Sequence, residues 1–326
     1  MSRERPEDSA RAPGGVARRV MILGPDPSGI ARAAEILRDG GLVALPTETV
    51  YGLAARADSE RAIAAIYRAK GRPEFNPLIV HVASLEQAGT LALLDERARL
   101  LAERFWPGPL TMVLPLREGA PVAPAVTAGL PTIALRMPAH PVMQAVLRET
   151  GLPLAAPSAN RSGSVSPTTP EHVLASFGAD APPVLAGGPC ERGLESTIVA
   201  LRENGWQLLR PGPVAASAVA AVLGDAMAGT PNRIEAPGQL ARHYSPGKPL
   251  RLAASGAEAG EFLIGFGEVT GDCSLSPSGD LAEAAARLYD CLHRAAASDR
   301  PRIAVAAIPD EGIGAAINDR LRRAAA

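Results

Sequence analysis

Between residues 45 and 82 the chain reads LPTETVYGLAARADSERAIAAIYRAKGRPEFNPLIVHV, and groups able to do chemistry are densely placed there. Thr47, Glu48 and Thr49 follow Pro46 and offer hydroxyls and a carboxylate where the backbone turns at a strand end. Lys70 and Arg72 occupy a Lys-Gly-Arg-Pro corner, with Asn76 and His81 a few residues on. Positive charge at a helix exit can serve simply to complement the helix dipole. Lysine, however, occurs only at Lys70 and Lys248 among 33 basic residues. A chain that otherwise uses arginine keeps a flexible ammonium in this corner, which suggests a point charge for phosphate.

Further candidates follow. Arg136 lies within the apolar run TIALRM, where it is either an arginine on a strand's solvent face or a second site cation. Residues 158–169, SANRSGSVSPTT, are dense in hydroxyls and small residues. They make either an ordinary surface loop or a cradle of N–H and O–H donors for an anion. No GxxxxGK[ST] phosphate loop is present. Ser196 and Arg210 stand at strand edges or ends, and Arg242, His243 and Tyr244 cluster in a turn-rich stretch where a passive tether would favour Gly and Ser.

The elements that must hold these groups alternate. A helix is expected over 28–38, capped by Ser28, feeding the strand LVALP. Apolar residues at helical spacing predict a helix over 58–70, with Asp58 or Ser59 as cap and Gly71 as stop, followed by a strand over 78–82. A helical region over 84–105, strands over 110–116 and 132–137, a helix over 140–149 and a short strand at 154–156 come next. A helix capped by Thr168 or Thr169 runs to Phe177. Strands over 193–201 and 206–214 and a helix over 214–223 close the unit. The expected organisation is a disordered leader over 1–27 and a main α/β domain over 28–224. A linker over 225–249 and a small α/β domain over 250–326 follow. Strands alternating with helices imply a partly parallel sheet in that last unit.

Composition narrows the function. A formal charge of -1 and an aromatic content of 3% argue against strong nonspecific nucleic-acid binding and against stacking platforms for single strands. Three widely spaced cysteines fit a reducing, cytoplasmic setting, and no metal-ligand spacing of Cys or His appears. No apolar run reaches membrane-spanning length.

Taken in order, PTETVYGL, KGRP with Asn76 and His81, ALRMP, PSAN followed by SPTT, ESTIV, LLRPG and RHYSPG resemble the YrdC-type L-threonylcarbamoyladenylate synthases in their longer, two-domain form. The resemblance covers about residues 29–326. It implies a YrdC-like twisted mixed sheet with flanking helices, followed by a smaller Rossmann-like domain. It also implies an enzyme that joins L-threonine, bicarbonate and ATP into threonylcarbamoyl-AMP with release of pyrophosphate. The product would serve a separate tRNA threonylcarbamoyl transferase complex. The ATP side would comprise Arg72, Asn76, Thr132, Ser158, Ser166, Arg210 and Tyr244. The threonine side would comprise Thr49, His81, Arg136, Ala156 through its backbone, and Ser196. Lys70, Arg72, Ser158 and Asn160 match the quartet that marks active members.

This chemistry brings an anionic carbamate against an anionic α-phosphate, so fixed cations and donors are needed, with Mg²⁺ accompanying ATP. A planar fork such as Arg136 suits a carboxylate. No covalent nucleophile is required, since positioning can supply most of the rate. The RHYSP segment is expected to fold over the nucleotide and exclude water. Alternatives are an RNA-binding YrdC-like module, disfavoured by the charge, and a carbamoyl-transfer domain of hydrogenase-maturation type. The latter would need acylphosphatase and zinc-finger segments upstream.

Overall fold

The computed structural model describes residues 20–73, 75–227, 235–238 and 243–326. Ten strands form the first sheet: β1 (Ile22–Leu23), β2 (Val43–Leu45), β3 (Gly52–Arg56), β4 (Ile79–His81), β5 (Leu110–Pro115), β6 (Thr132–Arg136), β7 (Leu154–Ala155), β8 (Val184–Leu185), β9 (Thr197–Arg202) and β10 (Gly205–Arg210). Their order is β1-β8-β2-β3-β7-β4-β6-β5-β9-β10, with parallel and antiparallel pairs mixed. A second sheet of β11 (Leu250–Ala254), β12 (Glu261–Gly265), β13 (Cys273–Ser274) and β14 (Arg302–Ala306) has the order β11-β14-β12-β13 and is parallel throughout.

The two faces of the first sheet differ in what they carry. Side chains alternate across a strand. Val80, Met112, Leu114, Ile133, Leu135 and Val199 therefore join the main core with Ile63, Ile66 and Leu101 of the covering helices. The alternate residues Ile79, Val113, Ala134, Ile198 and Ala200 make a thinner apolar floor on the other face, joined by Ala236. His81 and Arg136 extend that floor. They pair in the parallel β4–β6 register, as do Ile79 and Ala134.

Local sequence explains the helix that ends in the basic corner. Ser59 accepts from the Ala62 amide at 3.3 Å at the start of helix Glu60–Lys70, so Ser59 rather than Asp58 is the cap. Gly71 ends the helix at φ 60°, which a glycine adopts without steric cost.

Several expectations need correction. The first helix is Pro27–Arg38 with Asp26 as cap, because the Asp26 carboxylate takes the amides of both Ser28 and Gly29. Residues 22–23 form β1 instead of a leader, and residues 1–19 lie outside the described part. The single helical region over 84–105 is two helices, Leu85–Leu91 and Glu96–Phe105, capped by Ser84 and Asp95. The strand expected from 193 begins only at Thr197, which leaves Glu195 and Ser196 before the ladder. Sequence patterning missed β3, GLAAR, because a strand buried on both faces shows no alternation.

The core of the second sheet takes in residues of the first unit. Val50, Val165 and Leu194 of the first unit pack in one cluster with Leu288, Tyr289 and Leu292 of helix Leu281–Ala297 in the second. Gly193 marks a close approach: a Cβ there would lie 2.4 Å from the Ala285 carbonyl oxygen, and its φ is +67°. Gly193→Ala should therefore destabilise the protein by about 1–3 kcal/mol. Urea denaturation checks this, and an unchanged midpoint would contradict the shared core.

Candidate active site

At one end of the cleft lies Arg136, almost wholly buried at 4% exposure, which rules out the solvent-face reading. Its Nε donates to the Gly108 carbonyl at 3.1 Å and its Nη1 to Thr49 Oγ1 at 2.9 Å. Nη2 stands 2.6 Å from Glu48 Oε1 as an ion pair, without an aligned hydrogen bond. Burial alone would raise the Glu48 carboxyl, but Arg136 outweighs it and holds the group below the ordinary carboxylate value. Thr47 Oγ1 bonds Thr49 Oγ1 at 2.8 Å and donates to Val50 O at 2.7 Å, locking the hydroxyl turn. His81 lies beside Arg136 with its Nδ1 buried and unpartnered. Burial, and next the Arg136 charge, push its pKa down to about 3, so the imidazole is neutral at working pH. Ala156 spends its N–H on Ile79 O at 3.1 Å, which leaves its carbonyl as the group it can offer.

The other end is at Arg210, on β10 three strands from Arg136 on β6, and the lining also holds Arg72, Ser158, Ser196 and Tyr244. A bulge decides where Arg210 points. In the β9–β10 ladder Leu208 pairs with Val199, yet Arg210 pairs with Ile198, so Leu209 is the extra residue. Without it Arg210 would fall on the core face; with it the guanidinium lies on the Ile198 face, over the cleft. There Nε and Nη2 donate to Ser196 O at 3.0 and 2.9 Å, and Nη2 also reaches Ser196 Oγ at 3.1 Å. Ser196 Oγ is further fixed by Thr111 Oγ1 at 2.7 Å. Arg72 donates to the carbonyls of Asn76 and Pro77, and burial lowers its pKa to about 10. The described parts of the turn-rich segment cover this end. Pro237 O accepts from Arg210 at 3.3 Å, and Tyr244 is buried at φ +67°.

The cleft between these ends is narrow, about 50 Å³, and nine of the expected residues line it: Thr49, Arg72, His81, Arg136, Ala156, Ser158, Ser196, Arg210 and Tyr244. Five others are placed elsewhere. Lys70 Nζ donates to the carbonyls of Ser158 and Asn160, both at 2.5 Å, and so holds the loop, not the cleft. Burial, then Arg72, pull its pKa well below the usual lysine value. Asn160 spends its amide on Arg161 O and Ser164 O within the same loop. Ser166 donates to Glu195 Oε1 at 2.6 Å. Asn76 is buried with its Oδ1 unpartnered. Thr132 lies on the Arg136 face of β6 but four residues back, roughly 13 Å away along the strand. Arg242 lies outside the described residues.

Two carboxylates at the site are absent from the expected substrate contacts. Glu48 and Glu195 sit within the PTET and EST runs, but nothing in the sequence separates a buried, paired carboxylate from a surface one. Glu195 lines the cleft. Its pKa falls to about 2 despite burial, because Arg320 and Arg210 face it and Ser166 donates to it.

The chain that carries this cleft is similar to known proteins along most of its length. Residues 35–212 match the family model described as telomere recombination, and residues 214–326 match threonylcarbamoyl-AMP synthase, C-terminal domain. A threonylcarbamoyl-AMP synthase of Bacillus subtilis is 40% identical over 325 residues, covering 92% of this chain and 93% of that protein. The chain belongs to the threonylcarbamoyl-AMP synthase family. A Pyrococcus abyssi synthase is 39% identical over 90% of this chain and 92% of its own length. The crystal structure of P. abyssi Sua5 complexed with L-threonine superposes with a TM-score of 0.86 at 35% identity, covering 94% of this chain and 97% of that one. Full-length HypF shares the fold alone, with a TM-score of 0.51 at 20% identity over 57% of this chain and 30% of that one. The family's C-terminal model begins at residue 214, ahead of the second sheet.

The buried histidines give this synthase-family fold a pH signature. Burial lowers His81 and His243 to about 3 and His293 to about 4. Each is neutral when folded and protonates below about 6.5 when unfolded, so unfolding takes up protons as pH falls from about 6.5 toward 4. The histidine contribution to stability should be level above pH 7 and decline below 6.5 by about 1.4 kcal/mol per pH unit for each proton taken up. Urea midpoints at pH 7.5, 6.5 and 5.5 check this; equal stability at all three would contradict it.

Proposed function

We propose that this chain forms threonylcarbamoyl-AMP at the cleft described above, with L-threonine at the Arg136 end and ATP at the Arg72–Arg210 end. The observation that carries the proposal is the division of cations along one narrow cleft. Arg136 is a fork steadied by Gly108 O and Thr49, while Arg72 and Arg210 are held by carbonyl oxygens. Carbonyls orient a guanidinium without cancelling its charge, so both arginines keep their field for phosphate oxygens.

In the reaction, the threonine amine attacks bicarbonate carbon and water leaves, giving a carbamate. A carbamate oxygen then attacks the α-phosphorus, the bond to the β-phosphate oxygen breaks, and pyrophosphate departs. Arg136 would hold the threonine carboxylate, with Thr49 meeting its other polar groups; Ser196, expected on the threonine side, is held by Arg210 and would belong to the nucleotide end instead. Neutral His81 would accept or donate one hydrogen bond without adding charge beside Arg136. Arg72, Arg210 and Ser158 would offset charge building on the phosphates, and most of the barrier reduction would come from alignment. Lys70 serves the site through the loop: its ammonium ties the Ser158 and Asn160 carbonyls, which fixes where Ser158 stands. Tyr244, buried over Arg210, would close the nucleotide end and keep water from the mixed anhydride.

Mg²⁺ would arrive with ATP. The carboxylates nearest the cleft are committed to Arg136 and Arg320, and among the described residues no cluster of three or more His, Cys, Asp or Glu could hold a metal. Phosphate oxygens and water would therefore be its ligands. The adenylate would pass to a tRNA threonylcarbamoyl transferase, a cytoplasmic role. Among the described residues no helix is long and apolar enough to cross a membrane.

Pyrophosphate release should require L-threonine, bicarbonate and ATP together; release that persists when threonine or bicarbonate is omitted would sink the reaction. Arg136→Lys replaces a fork with a point charge and should raise KM for threonine by about tenfold or more, with KM for ATP little changed. A rise confined to ATP would reverse the assignment of the two ends.

A further inference from the structure

The second domain reaches the cleft through one fully buried arginine. Arg320 lies on helix Ile313–Ala325 with no exposed surface. Its Nε donates to Glu195 Oε2 at 2.8 Å, its Nη2 to Pro211 O at 2.9 Å and its Nη1 to Asp319 Oδ2 at 2.6 Å. Its guanidinium carbon stands 5.4 Å from the centroid of the Tyr244 ring, within cation–π range. Glu195 also receives hydrogen bonds from Ser166 Oγ at 2.6 Å and from Tyr289 OH at 2.8 Å. His293 Nε2 meets Ser166 O at 3.1 Å. Three residues of the second domain thus converge on Glu195 and Ser166, behind the nucleotide end.

We infer that Arg320 is a positioning residue for the nucleotide side, supplying the counter-charge that keeps Glu195 from competing for Arg210. This deepens the function proposed above and rests on it. Glu195 lines the cleft beside Arg210, and a carboxylate facing a polyphosphate is repulsive unless neutralised. Arg320 neutralises it from behind. Removing Arg320 leaves a buried carboxylate whose remaining cationic neighbour among the described residues is Arg210. Arg210 would then turn from Ser196 toward Glu195, and Ser166 and Tyr244 would lose what fixes them. All these effects fall on the ATP end, and none touches Arg136, Thr49 or His81. A residue that only stabilised the fold would act differently, lowering the amount of active enzyme with both KM values unchanged.

The test uses the full-length protein and steady-state pyrophosphate release. Arg320→Gln should raise KM for ATP by about tenfold or more and leave KM for L-threonine within about twofold. Arg320→Lys should lie between Arg320→Gln and wild type, since it keeps the charge but loses the fork. Adding Glu195→Gln to Arg320→Gln should recover part of the ATP affinity, because a neutral amide can still accept from Ser166 and Tyr289. Equal changes in both KM values, or a double variant no better than Arg320→Gln alone, would overturn the inference. Should Arg320→Gln fail to fold, Arg320→Lys and the charge-balanced double variant carry the same comparison, and an unchanged KM for ATP in both overturns it. A wild-type protein whose pyrophosphate release ignores threonine or bicarbonate sinks the function itself. An active wild type with unmoved variants sinks only the role of Arg320.

Discussion

The cleft depends on burying cations whose charge is solvated but not cancelled. Arg72, Arg210 and Lys70 are nearly inaccessible, and the partners that orient them are carbonyl oxygens. Taking such groups out of water is costly, and their depressed pKa values register that cost. Carboxylates would have relieved it more fully, but they would also have spent the field that a reaction between two anions needs. Among the described residues at the cleft, carboxylates stand in two places instead. Glu48 steadies Arg136, and Glu195 is answered by Arg320 from the second domain.

That constraint accounts for the architecture around the cleft. A parallel β4–β6 pair sets His81 beside Arg136, and one bulge in β10 turns Arg210 onto the same face. The second domain is bound in by a shared apolar cluster and by hydrogen bonds to Ser166 and Glu195, so it forms the backing of the nucleotide end. The 158–168 loop is gripped from two sides, by Lys70 on its carbonyls and by Glu195 on Ser166.

Much of this was legible in the sequence, and what was not has physical causes. The helix ending at Lys70, the Gly71 stop and most strands follow from apolar spacing and turn residues. The mixed sheet and the cleft-lining Thr49, Arg136, Ser158, Ser196 and Arg210 came from the ordered motifs. Three kinds of feature stayed hidden. β3 is buried on both faces and so carries no period. The bulge at Leu209 changes a register without changing composition. Glu48, Glu195 and Arg320 are charged residues whose burial depends on contacts 88, 125 and 109 positions apart, as the Arg136–Glu48, Arg320–Glu195 and Arg320–Pro211 pairs show. Lys70 stands out by composition, but its ammonium faces loop carbonyls, not the cleft.

The central claim is that one cleft binds the two reactants at opposite ends. A crystal structure of this protein with L-threonine and a non-hydrolysable ATP analogue tests it most directly. The account predicts the threonine carboxylate within hydrogen-bond distance of Arg136 and the phosphates against Arg72, Arg210 and Ser158. Phosphates seated on Arg136, or threonine bound away from it, would contradict the account.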